Sequence, residues 1–226
     1  MQHYFIEKEH NLSDYFEFEA VVAGEKLNFR SCDNIFSRKE IDKGSDTLIN
    51  TVIDKVKPEG YGLDFGCGYG VIGITLTKTC KVTMDFADVN GTAINLTRTN
   101  LMKNGIKTSG DLIKTDGFES ITKTDYDFIV TNPPIKTGKK LLFSIMEGSF
   151  SHLKVGGTLT LVIRKDHGED SLRKFLITVF GNCEILQRNK GYYILHCIKK
   201  AWGLFFLLGI DNFLNAGIIC NINLKI

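Results

Sequence analysis

The stretch DFGCGYGVIG, Asp64 to Gly73, follows a short apolar approach at Tyr61, Gly62 and Leu63 and precedes a helical pattern. Gly66, Gly68, Gly70 and Gly73 crowd into it. Glycine costs backbone entropy inside a helix or strand, so such a cluster belongs where the main chain turns tightly or closely approaches a ligand. Strand, glycine-rich turn, helix is the order of a nucleotide-cofactor site. Gly68-x-Gly70-x-x-Gly73 also satisfies the dinucleotide fingerprint, with Asp88 where a ribose-binding acid would stand, so the loop alone does not separate NAD from S-adenosylmethionine.

The remainder of the chain must decide. Its 226 residues suffice for one domain with a large core, and 43% hydrophobic and 24% charged residues are ordinary for a soluble globular protein. A net charge of +2 does not by itself argue for nucleic acid. The six cysteines, Cys32, Cys67, Cys80, Cys183, Cys197 and Cys220, form no C-x-x-C pair and have no histidine at zinc-finger spacing. Neither a disulfide framework nor a metal site is expected. The polar start, MQHYFIEKEH, is not a secretory signal, and a reduced, cytoplasmic protein is expected.

Periodicity gives the order of elements. Alternation over Phe16 to Val22 and Leu27 to Arg30, broken at Gly24, predicts a hairpin. A helix capped by Ser45 or Asp46 carries the stripe Leu48, Ile49, Val52, Ile53 and Val56, and Pro58-Glu59-Gly60 ends it. A strand to about Phe65, a helix over Val71 to Lys78, a strand over Lys81 to Ala87 and a helix over Thr92 to Lys103 follow. Short strands are expected at Asp111 to Lys114 and Tyr126 to Thr131, then a helix over Lys140 to Leu153 closed by Gly156-Gly157. Thr158 to Arg164 is a buried strand and Ser171 to Phe180 a helix. Cys183 to Gln187 and Tyr192 to Ile198 form a second hairpin across Arg188 to Gly191. Such alternation predicts an α/β fold with a mostly parallel sheet, helices on both faces and an antiparallel strand at one edge.

Two carboxylates tilt the glycine loop toward S-adenosylmethionine. Asp64 ends its strand where it can meet a ligand ammonium, and Asp88 follows the next strand where it can accept both ribose hydroxyls. Asp116-Gly117 follows the third strand, either as an ordinary turn or as an acceptor for an adenine amino group, with Gly117 leaving room for the ring. Thr131-Asn132-Pro133-Pro134-Ile135 ends the fourth strand and holds two of the chain's three prolines. Successive prolines fix the backbone and remove donors, leaving carbonyl oxygens as acceptors. An amino group there can donate to the Asn132 side chain and the Pro133 carbonyl. An exocyclic base amine is barely basic, because its lone pair is delocalised into the ring. Positioning and pyramidalising it is therefore the catalytic task.

DFGCGYG, ADVN, DGF and NPPI in this order resemble the class I S-adenosylmethionine-dependent methyltransferases. Within them the chain is similar to the 16S rRNA guanine-N2 methyltransferases of the RsmC type, through HYF near the start, FSRKEIDKGSDTLI, NPPIKTGKK, VGGTLTLVIRKDHG and RNKGYYIL. The resemblance spans about residues 1–200 and implies a Rossmann-like, seven-stranded sheet with the last strand antiparallel. It implies a methyltransferase domain over 1–200, with 1–44 an N-terminal hairpin and pre-helix segment and 45–200 the core. The implied cofactor residues are Asp64, Gly66, Cys67, Gly68, Gly70, Asp88, Val89, Asp116, Gly117 and Asn132, and the implied catalytic residues are Asn132, Pro133 and Pro134. Phe36 and Ser37 are expected to close over the site. Ile135 stands where many amino-methylases place an aromatic to stack on the target base, a task Phe36 can take. Lys136, Lys139 and Arg164 are candidates for 16S rRNA or 30S-subunit contacts, set against the reading of each as a solvated surface cation.

The resemblance leaves rivals: an amino-methylase on another guanine, an adenine N6 or a protein glutamine, an NAD-dependent oxidoreductase, and a non-catalytic RNA-binding relative. The oxidoreductase leaves Asn-Pro-Pro unexplained. The segment 201–226 is apolar, with Asp211 and Lys225 its only charges, and its run Ala201 to Ile210 falls short of the about 20 residues that span a bilayer. No membrane association is expected, and the segment carries no evident chemistry.

Overall fold

The computed structural model describes residues 15–33, 35, 40–107, 110–134 and 138–201. An antiparallel hairpin, β1 (Tyr15–Val22) and β2 (Glu25–Cys32), precedes a seven-stranded sheet. The sheet contains β3 (Tyr61–Phe65), β4 (Thr83–Asp88), β5 (Leu112–Lys114), β6 (Tyr126–Thr131), β7 (Leu153–Arg164), β8 (Glu184–Asn189) and β9 (Tyr192–Ile198) in the order β5-β4-β3-β6-β7-β9-β8. Its helices are α1 (Lys43–Thr51), α2 (Val71–Cys80), α3 (Gly91–Lys103), α4 (Lys139–His152) and α5 (Glu169–Phe180). The order builds outward from β3 to β5, then reverses from β3 to β6. The crevice beyond the carboxyl ends of β3 and β6 is thus a topological switch point, where open α/β sheets bind ligands.

The strands bury both faces. Residues such as Phe86, Phe128, Val130, Val162 and Ile194 pack with α2, α3 and the hairpin, while Leu63, Ile129, Leu159, Leu161 and Leu195 pack with α4 and α5. Among the described residues no helix is long and apolar enough to cross a membrane.

Several boundaries differ from the sequence expectation. The cap of α1 is Asp42, neither Ser45 nor Asp46: its carboxylate accepts the Gly44 and Ser45 amides at 2.9 and 3.0 Å. The apolar stripe beyond it runs on into one π-helical turn, Val52–Val56. Gly156-Gly157 does not close α4, which ends at His152; β7 begins at Leu153 and includes both glycines. The Gly156 amide donates to Lys199 O and Gly157 O accepts from the Lys199 amide, each at 2.8 Å, so this pair serves the sheet. The antiparallel strand, β9, is not at the edge. It lies between β7 and β8, and β8 is outermost.

The sheet's opposite end holds a charged core. Asp85, 2% exposed in β4, accepts from the Tyr61 hydroxyl at 2.7 Å, the Tyr126 hydroxyl at 2.5 Å and the Asp111 amide at 2.5 Å. Burial and this carboxylate push both phenols above their ordinary range. Asp85→Ala leaves these buried donors unmatched and is expected to destabilise the protein by roughly 3 kcal/mol, read as a lowered urea midpoint. An unchanged midpoint refutes this account of the cluster.

Candidate active site

The glycine loop is stitched to the sheet before any ligand is considered. The Gly66 and Cys67 amides donate to Ala87 O at 2.8 and 3.0 Å, the Gly68 amide donates to Asp88 Oδ2 at 2.9 Å, and the Gly70 amide donates to Cys67 O at 2.8 Å. Gly70 has φ +89°, and a Cβ there would meet Ile74 and Thr97 at 2.9–3.0 Å. Any side chain at Gly70 would be strained and crowded. Gly66 has φ +73° and a Cβ would find nothing within 4 Å, so the crevice is open above it.

Asp64 is fully buried at the end of β3. Its Oδ2 accepts the Gly73 amide at 2.8 Å, in the first turn of α2, and its Oδ1 has no partner. Burial raises its pKa to about 7, opposed by the Gly73 hydrogen bond and assisted by the nearby Asp88 charge. A carboxylate already occupies the helix terminus that a pyrophosphate would use. With the amides of Gly66, Cys67, Gly68, Gly70 and Gly73 all consumed within the chain, this loop is ill suited to a phosphate. An orphaned buried carboxylate oxygen instead suits a ligand cation.

Asp88 ends β4 with Oδ2 on the Gly68 amide and Oδ1 on the Asn90 amide, both at 2.9 Å. Burial raises its pKa, and the Asn90, Gly68 and Val89 amides oppose the shift. Each oxygen keeps a lone pair for a ribose hydroxyl. Cys67 is buried with its thiol pushed up by desolvation and by Asp88 and Asp64, so it stays protonated and serves as packing. Asp116 is exposed on the turn after β5, and a Cβ at Gly117 (φ +61°) would meet nothing within 4 Å. Beneath this turn Phe118 stacks on Phe65 at 4.5 Å between ring centroids, which forms an apolar floor beside the open space.

Across the crevice, Asn132 and the buried Pro133 leave the carboxyl end of β6. The Asn132 Nδ2 donates to Ser45 Oγ at 3.0 Å and more distantly to Asp42 Oδ1 at 3.4 Å. With its nitrogen held by the start of α1, the amide turns its oxygen the other way. Pro134 follows, half-buried. Phe36, Ser37, Ile135 and Lys136 lie outside the described residues. Lys139 is exposed at the start of α4. Arg164, at the end of β7, is also exposed, forming an ion pair with Asp166 at 2.8 Å and lying 5.9 Å over the Tyr192 ring.

One positioning device escaped the sequence reading. Asn100, buried on α3, accepts the Arg30 amide at 2.7 Å and donates to Arg30 O at 2.9 Å and Tyr69 O at 2.8 Å. One turn on, Asn104 pairs likewise with Asn28 N and O at 2.9 and 2.8 Å. These amides continue the edge of β2 as a neighbouring strand would and tie the hairpin to the glycine loop. The available signal was asparagine, a poor helix former, twice at i, i+4, once in α3 and once at its C-cap. Asn100→Ala is expected to cost roughly 2–4 kcal/mol and to weaken S-adenosylmethionine binding through Tyr69, by calorimetric titration. Unchanged stability and affinity would refute it.

The switch-point crevice, the carboxylate pair and the Asn-Pro-Pro turn together define a class I S-adenosylmethionine-dependent methyltransferase. The chain belongs to the methyltransferase small domain family, whose profile matches residues 26–196. It is 36% identical over 200 residues to the uncharacterized protein YbxB of Bacillus subtilis, covering 88% of this chain and 98% of that protein. It is 32% identical over 181 residues to the ribosomal RNA small subunit methyltransferase C of Psychromonas ingrahamii, covering 78% of this chain and 50% of that one. The chain thus spans about half the length of the small-subunit methyltransferases it matches. In fold it is similar to the T. thermophilus 16S rRNA N2 methyltransferase solved with AdoMet and guanosine. That match has a TM-score of 0.74 and 23% identity and covers 82% of this chain and 51% of that one.

Proposed function

We propose that this protein methylates the exocyclic N2 amine of a guanine in small-subunit (16S) rRNA, either free or within the 30S subunit. The observation that carries this reading is the Asn132 amide, which is anchored through its nitrogen so that Oδ1 is left as an acceptor beside the Pro133 carbonyl. The names of the relatives found, and the guanosine in the fold neighbour, support the same substrate.

In this reading Asp64 Oδ1 takes the ammonium of the cofactor, Asp88 the ribose hydroxyls and Asp116 the adenine amine, while Gly66, Gly68 and Gly117 leave the room it needs. S-adenosylmethionine supplies an electrophilic methyl and leaves as S-adenosylhomocysteine. Asn132 Oδ1 and Pro133 O accept the two hydrogens of the target amine and draw its lone pair out of conjugation with the ring. Pro133 and Pro134 hold that turn rigid, so the acceptors are preorganised. Neither Asn nor Pro titrates, and none needs to: the amine becomes acidic on methylation and sheds a proton to water. Lys139, which begins α4 after β6, and Arg164, which ends β7, lie toward the carboxyl ends of the strands and are assigned to phosphates, as is Lys136, which follows Asn-Pro-Pro in the sequence. Phe36, Ser37 and Ile135 are assigned to the base.

The test is incubation with labelled S-adenosylmethionine and small ribosomal subunits or deproteinised 16S rRNA, followed by nucleoside mapping. Label in N2-methylguanosine is expected. Label in another nucleoside or in protein, or no transfer at all, overturns the assignment.

A further inference from the structure

The start of α1 does more than begin a helix. Asp42 Oδ1 receives the Gly44 amide at 2.9 Å and the Ser45 amide at 3.0 Å, and Asn132 Nδ2 lies 3.4 Å from the same oxygen. Ser45, 3% exposed, places its hydroxyl oxygen 3.0 Å from that nitrogen. Both contacts reach 87 or more positions along the chain, from a helix cap to the end of a central strand.

This corner is braced from its other side by the outer strands. A Cβ on Gly44 would lie 3.0 Å from both Asp42 Oδ1 and Tyr192 Cε1, so glycine lets the first residue of β9 close against the cap. Asn189 Nδ2, at the end of β8, donates to Thr47 Oγ1 at 3.1 Å. The acceptors facing Asn132 are therefore held by the cap geometry, by β8 and by β9. A helix needs its cap oxygen aimed at its own first amides; it does not need that oxygen, or a buried serine, near a strand-end asparagine. Cap duty alone leaves the second set of contacts unexplained.

We infer that Asp42 and Ser45 are positioning residues for methyl transfer, holding the Asn132 side chain in the one amide orientation that presents Oδ1 to the target amine. This inference rests on the catalytic role proposed above for Asn132. The two acceptors act in two ways. Asp42, a carboxylate that can only accept, disfavours the flipped amide, which would aim an NH2 group at the amine and an oxygen at Asp42, while the Ser45 hydroxyl, which can accept or donate, fixes where the amide sits. They also polarise the amide: drawing on its N–H bonds places more negative charge on Oδ1, and a hydrogen bond strengthens its neighbour in a chain. Neither residue need touch cofactor or substrate.

Ser45→Ala removes one acceptor while the cap stays intact. Asp42→Asn keeps an acceptor for the cap amides, since Asn caps as well as Asp, but removes the charge. Both are expected to lower kcat about tenfold, leave KM for small subunits and the Kd of S-adenosylhomocysteine within about twofold, and leave the urea midpoint nearly unchanged, a tenfold loss being about 1.4 kcal/mol. In an Asn132→Ala background each is expected to add no further loss, because the residue it acts through is gone. A second readout is independent of turnover. The Asn132 side-chain NH2 resonances, identified by their disappearance in Asn132→Ala, are expected to move toward free-amide values in Ser45→Ala. If Ser45→Ala and Asp42→Asn retain full kcat, or their losses multiply with that of Asn132→Ala, or the amide resonances stay put, the positioning role is wrong while the role of Asn132 stands. If Asn132→Ala itself keeps full activity, both roles fall together.

Discussion

Asn132→Ala is expected to lower the rate of methyl transfer by about 10²–10³-fold, the loss seen when one preorganised acceptor or donor is removed from a developing charge. Affinity for S-adenosylmethionine should change by no more than a few-fold, because the proposed ammonium and ribose partners, Asp64 and Asp88, belong to other strands. The stability change should also be small, since Asn132 is half-buried and follows β6. Its loss removes one donor from Ser45 Oγ, and Asp42 Oδ1 keeps both of its cap amides. Single-turnover rates with excess enzyme separate this from product release. A variant that binds cofactor normally but fails in chemistry supports the assignment. A variant that loses binding and chemistry in parallel would make Asn132 a cofactor ligand instead.

Asp64→Asn is expected to act in opposite directions on binding and on stability. An amide in that position aims N–H where a ligand ammonium would lie, so affinity for S-adenosylmethionine should drop about 100-fold, near the upper range for a charged hydrogen bond. The wild-type apoprotein has a buried carboxyl with a pKa of about 7, raised chiefly by desolvation. The ordinary aspartate value is near 4. Between these values the folded chain holds a proton that the unfolded chain releases, so this group's stabilising contribution is full at low pH and is lost as pH rises to about 7. Across that interval the cost accumulates to roughly 4 kcal/mol. The difference in stability between Asp64→Asn and wild type should therefore shift in favour of the variant from pH 4 to pH 8, without ligand, in urea titrations. A difference independent of pH would show that Asp64 is ionised throughout. Cofactor binding should in turn strengthen as Asp64 ionises.

The fold was legible where local chemistry and burial point the same way. The run YDFIVT is apolar and β-branched between turn signals, and it forms β6 over the same residues, Tyr126–Thr131. The glycine loop and the hairpin at Gly24 were legible because glycine takes positive φ without strain, although the hairpin turn also holds Ala23 at φ +49°. The start of α1 was less so. Asp42, Ser45 and Asp46 can all cap, and the choice falls to Asp42 because Ser45 is drawn to Asn132, far away in sequence. Gly156 and Gly157 look like a helix stop but serve β7, since the deciding partner is Lys199. The acids of the site were visible as types, though not their states: that Asp64 has one satisfied oxygen and one orphan depends on how α2 lies over β3. Asp85 was overlooked. An acid between the apolar Met84 and Phe86 was its only trace, and its partners Tyr61 and Tyr126 come from two other strands.

The placement of β9 between β7 and β8 bears on how such a chain is made. β8 leaves the ribosome first and cannot join the sheet alone, because among the described strands its neighbour is β9. The pair must form as a hairpin through Lys190 and Gly191 and dock as a unit on β7, whose far side already holds β6. Until Ile198 has been synthesised, β7 presents an unpaired apolar edge. A released chain that ends before β9 should be sticky and protease-sensitive, whereas one that ends just after it should be neither.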